Sequence, residues 1–484
     1  MTSIMKLENF TIKQINKGLK EKEFSAKELA LAYFDKIKKT DNEIGAYLSL
    51  SETLAISQAE EADKEIALRL SSGQEFPILA GVPCGIKDNI LVEGEKCTCA
   101  SKMLENYVAS YDAGCIKKLK KNGAVILGKT NLDEFAFGSS CENSAFKVTK
   151  NPHDLSCVSG GSSGGSAAAI ASDQACFALG TDTGCSVRTP ASFCGVVGLK
   201  TTYGSVSRSG VIASASSLDQ VGPLTKNVED AETIFNIISG KDIFDATSVE
   251  FKYEKLTKEK PFVIGVPREF FGKGLNKDVE KIIKKTISKI EDQGFKIQEI
   301  SLPSTDFALA CYYIIQTSEA SANLARFDGI RYGYSEIQNI SSKDFTLRDI
   351  YLKSRGKGFG AESKRRIMLG TYSLSSGYYD AYYKKAQEVR LLIKQDFIDS
   401  FKKVDLIMGP VTPFPAFKIG EKANDPLSMY LADIYTVPIN LAGVPAMSLP
   451  IGKIGKLPVG LQIIANHFEE SKIFNIASII EKIV

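Results

Sequence analysis

The spacing of apolar residues along this chain switches repeatedly between helical and strand periods, and the switches divide it into elements. The first 72 residues or so read as helical. Ser25-Ala26-Lys27-Glu28 forms a capping box, with serine at the N-cap and glutamate three residues on. Leu29, Leu31, Ala32, Phe34 and Ile37 follow at near-helical spacing. A second helix is expected over residues 51–70, with Glu60, Glu61 and Asp63 as a solvated face. The run from Ile78 to Ile86 is apolar but broken by glycine and proline, which predicts short buried strand and loop delivering Lys87-Asp88-Asn89. A helix near 112–122 and a strand over 124–127 come next, and Lys129-Thr130-Asn131 is expected to open a further helix.

Downstream, helices are predicted over 228–239, 277–293 and from about 469, and strands over 262–266, 295–302, 404–408, 446–450 and 459–465. Residues 305–403 read as largely helical and rich in tyrosine, ending in a long helix over about 377–402. Strands alternating with helices place the chain in the α/β class, with a large central mixed sheet covered by helices on both faces.

Composition narrows the function classes. At 484 residues and 44% apolar, the chain is long enough for a large core or several domains. No internal repeat or low-complexity linker interrupts it, so one domain is expected over 1–484, the helical segment of about 1–72 packing on the core. The net charge of +3 does not by itself point to nucleic acid. No run of about 18 apolar residues occurs, so no membrane span is expected. The start, MTSIMKLENFTIKQ, has no apolar signal core and is not Arg-rich, which favours a cytoplasmic location. The 10 cysteines form no CxxC pair and read as reduced thiols acting as small hydrophobes. Cys97 and Cys99 do not match a zinc spacing, and no metal site is expected. Gly123 to Thr130 fits the phosphate-loop pattern, but its four variable residues, Ala-Val-Ile-Leu, look like strand rather than a loop with free amides.

The chemistry concentrates between Ser156 and Pro190. Two Gly/Ser clusters, Gly160 to Ser166 and Gly184-Cys185-Ser186, flank an Ala-rich run and a short apolar run. Glycines this dense suit places where backbone must come close to something, and the serines suggest hydrolysis. A flexible loop fits GGSSGG equally well on its own. The chain has 2 histidines, His153 in a turn-like Asn-Pro-His-Asp string and His467 at the edge of an apolar strand. Neither has a triad context, so histidine is not expected as the base.

Three stretches together resemble the amidase signature family: Gly85-Ile-Lys87-Asp88-Asn89, Ser159-Gly-Gly-Ser162-Ser-Gly-Gly-Ser166, and Gly180-Thr-Asp182-Thr-Gly-Cys-Ser186-Val-Arg188-Thr-Pro190 onward to Lys200. The resemblance implies the amidase-signature fold and a Ser–cis-Ser–Lys triad. Ser186 would be the nucleophile, Ser162 the bridging serine after a cis peptide, and Lys87 the terminal base. Lysine can act so only when neutral, which burial favours. The amides of Thr183, Gly184, Cys185 and Ser186 would form the oxyanion hole. The family usually has glycine where this chain has Cys185, which matters only if that position needs a glycine-like conformation. Lys200-Thr201-Thr202 also replaces the common Lys-Pro-Thr.

Further stretches, among them Asn131 to Phe146, Ser217 to Pro223, Ser318 to Gly329, Gly358 to Tyr372 and Asp425 to Asp433, resemble the glutamine-hydrolysing subunits of tRNA-dependent amidotransferases within that family. That likeness implies glutamine as substrate, its α-carboxylate held by Arg366 and its α-amino group by Asp433, with Tyr313, Ser139 and Phe137 lining the pocket. Phe137 stands where methionine is usual. As residues alone, Arg365 and Arg366 read equally as helix-surface charges. The likeness also implies partner subunits B and C, no cofactor in this chain, and ATP and Mg²⁺ used by the partner. Contact with tRNA would be indirect, and Glu-tRNA(Gln), with Asp-tRNA(Asn) as an option, would be the acceptor. A stand-alone amidase for another small amide and a subunit impaired by Cys185 are the alternatives.

Overall fold

Three parallel strands are the centre from which the fold grows: Pro83–Lys87 lies between Val125–Thr130 and Phe177–Asp182 and runs parallel to both. They belong to an eleven-stranded mixed sheet, seen in a computed structural model that describes residues 7–484 apart from 9, 252, 257–261, 332, 340–345 and 424. From one edge the order is Tyr47–Leu50, Val125–Thr130, Pro83–Lys87, Phe177–Asp182, Gln220–Thr225, Val197–Lys200, Ala446–Ile454, Leu457–Ala465, Leu406–Pro410, Val263–Pro267 and Lys296–Ile300. Strands buried on both faces must be apolar on both faces. Every residue of Val125–Thr130, Phe177–Asp182, Gln220–Thr225 and Leu406–Pro410 is buried accordingly. Helices pack on both faces, and one buried apolar cluster runs from Leu7 to Ile480.

Local signals explain most boundaries. Helix Ala26–Ile44 carries the expected Ser25/Glu28 capping box and stops at Gly45 in the left-handed region, φ 74°. Its buried stripe is Leu29, Ala30, Tyr33, Phe34 and Ile37, whereas Leu31 is exposed. Helix Glu52–Ser71 matches the second expected helix. Between them, strand Tyr47–Leu50 interrupts the segment read as wholly helical and pairs antiparallel with Val125–Thr130. Four residues are too few for a period to declare itself. A second correction concerns Lys129-Thr130-Asn131, which ends a strand instead of opening a helix. Lys129 turns inward to an ion pair with Asp88 at 3.1 Å, and Thr130 Oγ1 lies 2.7 Å from Ser166 Oγ. These contacts continue the strand beyond its apolar run. The phosphate-loop look-alike is therefore sheet. The long helix expected over 377–402 starts with a π-helical turn, Asp380–Lys384, before Lys385–Phe401. Parts of the region 305–403, and residues 1–6 of the N-terminal segment, lie outside the described residues.

Candidate active site

Because the three central strands are parallel, their carboxyl ends open on the same edge of the sheet, where α/β proteins gather ligands. Lys87 is the last residue of its strand, and Thr181 and Asp182 end the neighbouring one. Lys87 is fully buried. Its Nζ donates to Ser162 Oγ at 2.7 Å, Ser163 Oγ at 2.8 Å, and Thr181 Oγ1 and O at 2.9 and 3.2 Å. All four partners are neutral. Burial therefore lowers its pKa to about 8, against an opposing pull from Asp133. Asp133, itself buried, is pushed up to about 7, although the amides of Asn143 and Cys141 donate to it.

Ser162 and Ser163 immediately precede the buried helix Gly164–Ala171, and the peptide Gly161–Ser162 is cis. The glycines around them are places of close approach. A Cβ on Gly161 would lie 2.0 Å from Asp133 Oδ2, and one on Gly165 would lie 2.5 Å from both Ala46 O and Asn131 N.

The loop from Thr183 to Ser186 joins strand Phe177–Asp182 to helix Arg188–Cys194 and belongs to neither. Three contacts shape it: Thr183 Oγ1 donates to Asp219 at 2.7 Å, Arg188 Nη2 to Gly184 O at 2.9 Å, and Ser163 N to Ser186 O at 3.0 Å. The amides of Val187 and Arg188 turn back to Asp182. Cys185 is not among the residues with positive φ, so this position needs no glycine-like conformation. Gly184 is the residue where close approach matters, since a Cβ there would lie 2.6 Å from the Tyr312 ring and push it aside. Ser186 is buried, no hydrogen bond joins its hydroxyl to that of Ser162, and Ser186 Oγ has Cys185 Sγ at 4.0 Å. Of the expected relay, Lys87–Ser162 is closed and Ser162–Ser186 is open, as is common for catalytic contacts without substrate.

A short chain of polar atoms leads from here to Asp433. Cys185 Sγ is 3.6 Å from Ser139 Oγ, which donates to Asp433 Oδ2 at 2.9 Å; Tyr313 OH donates to the same oxygen at 3.0 Å. Asp433 is buried, and among the described residues its Oδ1 has no partner. Burial raises its pKa, against the nearby Cys185 thiol and the hydroxyls of Ser139 and Tyr313. Arg366 is also buried, so it is not a surface charge. Nε pairs with Glu362 at 2.8 Å and Nη1 donates to Gln316 at 2.8 Å. The guanidinium lies 5.2 Å from the ring centres of both Phe137 and Tyr313. Its Nη2 makes no hydrogen bond among the described residues, so one edge of the fork stays open.

The expected site residues are held in place by others that the sequence did not single out by role. Ser163 and Thr181 stand inside the motifs already singled out, and Glu362 is four residues before Arg366, the helical spacing of an ion pair. Tyr430, stacked on Tyr313 at 3.9 Å, lies within the Asp425 to Asp433 stretch, whereas Gln316 had no such signal. The histidines bind backbone: His153 Nε2 contacts Cys194 O and His467 Nε2 contacts Ala442 O. Among the described residues no three His, Cys, Asp or Glu side chains are grouped to hold a metal ion, and no helix is long and apolar enough to cross a membrane.

The same chain-wide pattern recurs in known proteins. The amidase family profile matches residues 28–474. The A subunit of glutamyl-tRNA(Gln) amidotransferase from Thermoanaerobacter pseudethanolicus is 54% identical over 483 residues, 99% of this chain and 97% of that protein. The protein of that name from Clostridium botulinum is 56% identical over 479 residues, 98% and 97% of the two chains. The crystal structure of the A subunit of glutamyl-tRNA(Gln) amidotransferase from Thermotoga maritima superposes with a TM-score of 0.79 at 40% identity, covering 98% of this chain and 94% of that one. With its family-wide match, its near full-length relatives and its sheet-edge cluster of lysine and serines, the chain belongs to the amidase family.

Proposed function

We propose that this chain is the glutamine-hydrolysing A subunit of a glutamyl-tRNA(Gln) amidotransferase. The observation that carries the reading is the pairing of two features across the nucleophile loop. One is a buried Lys87 in contact with Ser162; the other is a buried carboxylate, Asp433, with an unpartnered oxygen. A glutamine with its α-ammonium on Asp433 Oδ1 and its α-carboxylate on the open edge of Arg366 extends its side-chain amide toward Ser186. Ser139, Tyr313 and Phe137 then hold the two charged ligands rather than the reacting group.

In this mechanism neutral Lys87 accepts a proton from Ser162 as Ser162 takes one from Ser186, and Ser186 Oγ attacks the amide carbon. The amides of Thr183 to Ser186 receive the developing oxyanion. Ser162 returns a proton to the leaving nitrogen and ammonia departs. Water then hydrolyses the glutamyl ester and releases glutamate. The whole chain, N-terminal helices included, acts as one catalytic unit and needs no cofactor of its own, because lysine, serines and amides supply every proton and charge the steps require. Partner subunits B and C receive the ammonia, and ATP and Mg²⁺ serve the amidation of Glu-tRNA(Gln), or of Asp-tRNA(Asn), on the partner. The cytoplasmic location that belongs to this reading is supported by ten buried, unpaired cysteines.

The test is to assemble the chain with its partner subunits and supply either glutamine or ammonium chloride as nitrogen donor. Wild type should use both. Ser186→Ala should lose glutamine-dependent amidation and glutamate release by at least about 10³-fold while keeping ammonium-dependent amidation. Retained glutamine use by Ser186→Ala would remove Ser186 as the nucleophile.

A further inference from the structure

Arg188 is completely buried, two residues beyond Ser186 in the chain. Its five N–H groups nevertheless reach six acceptor atoms, two of which share one Nη2 hydrogen. Nε and Nη2 grip Asp182 at 3.1 and 3.0 Å. Nη2 also donates to Gly184 O at 2.9 Å and to Asn440 Oδ1. Nη1 donates to Thr436 O at 3.1 Å and to Gln462 Oε1 at 2.7 Å. One end of this set is the nucleophile loop. The other is the short segment that bears Asp433: Thr436 N and Oγ1 both donate to Asp433 O at 3.0 Å, and Gln462 Nε2 donates to Tyr435 O at 2.9 Å. One planar cation therefore spans the carbonyl of Gly184 and the turn that holds the Asp433 backbone.

We propose that Arg188 is a positioning residue that ties the nucleophile loop to the Asp433 segment, so that the site for the substrate's ammonium group and the site of attack keep a fixed separation. This role presupposes the glutaminase activity proposed for the site. The chemistry requires arginine. Only a rigid fork with five N–H donors reaches a carboxylate, two backbone carbonyls and two side-chain amides at once, whereas lysine offers three donors from a single atom. Asp182 keeps the cation in place: it also accepts the amides of Val187 and Arg188, and Asn440 Nδ2 at 2.9 Å. Arg188 holds Asp182 charged even though burial opposes that charge.

Gln462→Met, made in the full chain assembled with its partner subunits, removes one of the two links from Arg188 to the Asp433 segment and leaves Arg188–Thr436 O and Asp182–Arg188–Gly184 intact. The expected result is a rise of about tenfold in the KM for glutamine with kcat changed less than about threefold. For glutaramate, the same γ-amide without an α-ammonium group, kcat/KM should not change. Thr436→Val removes one bond to Asp433 O with little change of shape and should move KM in the same direction. Arg188→Lys should lower kcat and raise KM together. A lower melting temperature and fewer active sites, with KM for glutamine unchanged in folded Gln462→Met and Thr436→Val, would overturn the role and leave Arg188 merely structural. A wild-type assembly that hydrolyses no glutamine would instead overturn the activity, and the coupling with it.

Discussion

Lys87 shows how far one side chain's chemistry depends on its surroundings. An exposed lysine is a cation throughout the physiological range. Here the amine is sealed among three hydroxyls and a carbonyl, and its pKa falls to about 8. The base works only when neutral, so glutamine kcat/KM should fall about tenfold per unit as pH drops below about 8 and level off above it. A profile flat between about pH 6 and 9 would remove Lys87 from the role. In the proposed function Asp433 has the opposite task, to remain an anion for an incoming ammonium. Asp433→Asn leaves the Ser139 and Tyr313 hydroxyls with an acceptor but removes the charge. Steady-state kinetics should show glutamine KM raised at least about 30-fold and kcat lowered much less. An unchanged KM would take the ammonium away from Asp433. The identities of these residues were legible in the sequence because they sit in or beside dense motifs. Arg366 was ambiguous there, since a pair of arginines on a polar helix looks like surface until Glu362, Gln316 and two aromatic rings are seen around one of them.

The loops and strands around these residues are governed by close approach. Gly184 lies against Tyr312 and Gly222 against the neighbouring strand, where a Cβ would be 1.9 Å from Leu199 O. Gly222→Ala should therefore force strands Gln220–Thr225 and Val197–Lys200 apart and cost about 3 kcal/mol or more, read from the urea midpoint. A loss below about 1 kcal/mol would mean that the strands yield easily. In the nucleophile loop, Gly184→Ala should lower kcat by more than about tenfold, while Cys185→Gly should change it less than about threefold, because Cys185 already has an ordinary backbone. The reverse order would mean that the loop depends on the thiol. Capping boxes and long amphipathic helices announced themselves in the sequence. The short edge strand Tyr47–Leu50 and the continuation of Val125–Thr130 through Lys129 did not, because both depend on partners distant in the chain.

Seen entire, the molecule is a sheet whose three parallel central strands present Lys87, Thr130 and Asp182 on one edge, with the serine loops laid across it. The residues proposed to hold glutamine come from far away: Tyr313 on helix Ala308–Leu324, Arg366 on helix Ala361–Leu374, and Asp433 in the turn after Pro426–Tyr430. Arg188 and Gln462 bring that last turn to the nucleophile loop. The chain alone carried the fold class, and its dense motifs, through their resemblance to the amidase signature family, carried the expectation of Lys87, Ser162 and Ser186 as a triad without a histidine base, since local periodicity and dense motifs are properties of neighbouring residues. Three things depended on folding. One is the neutral cage that lowers the Lys87 pKa; another is the orphan oxygen of Asp433; the third is the pairing that leaves Arg366 a single open edge. Each of them arises from burial and, the Glu362–Arg366 pair apart, from contacts between residues tens to hundreds of positions apart, which no spacing along the chain encodes.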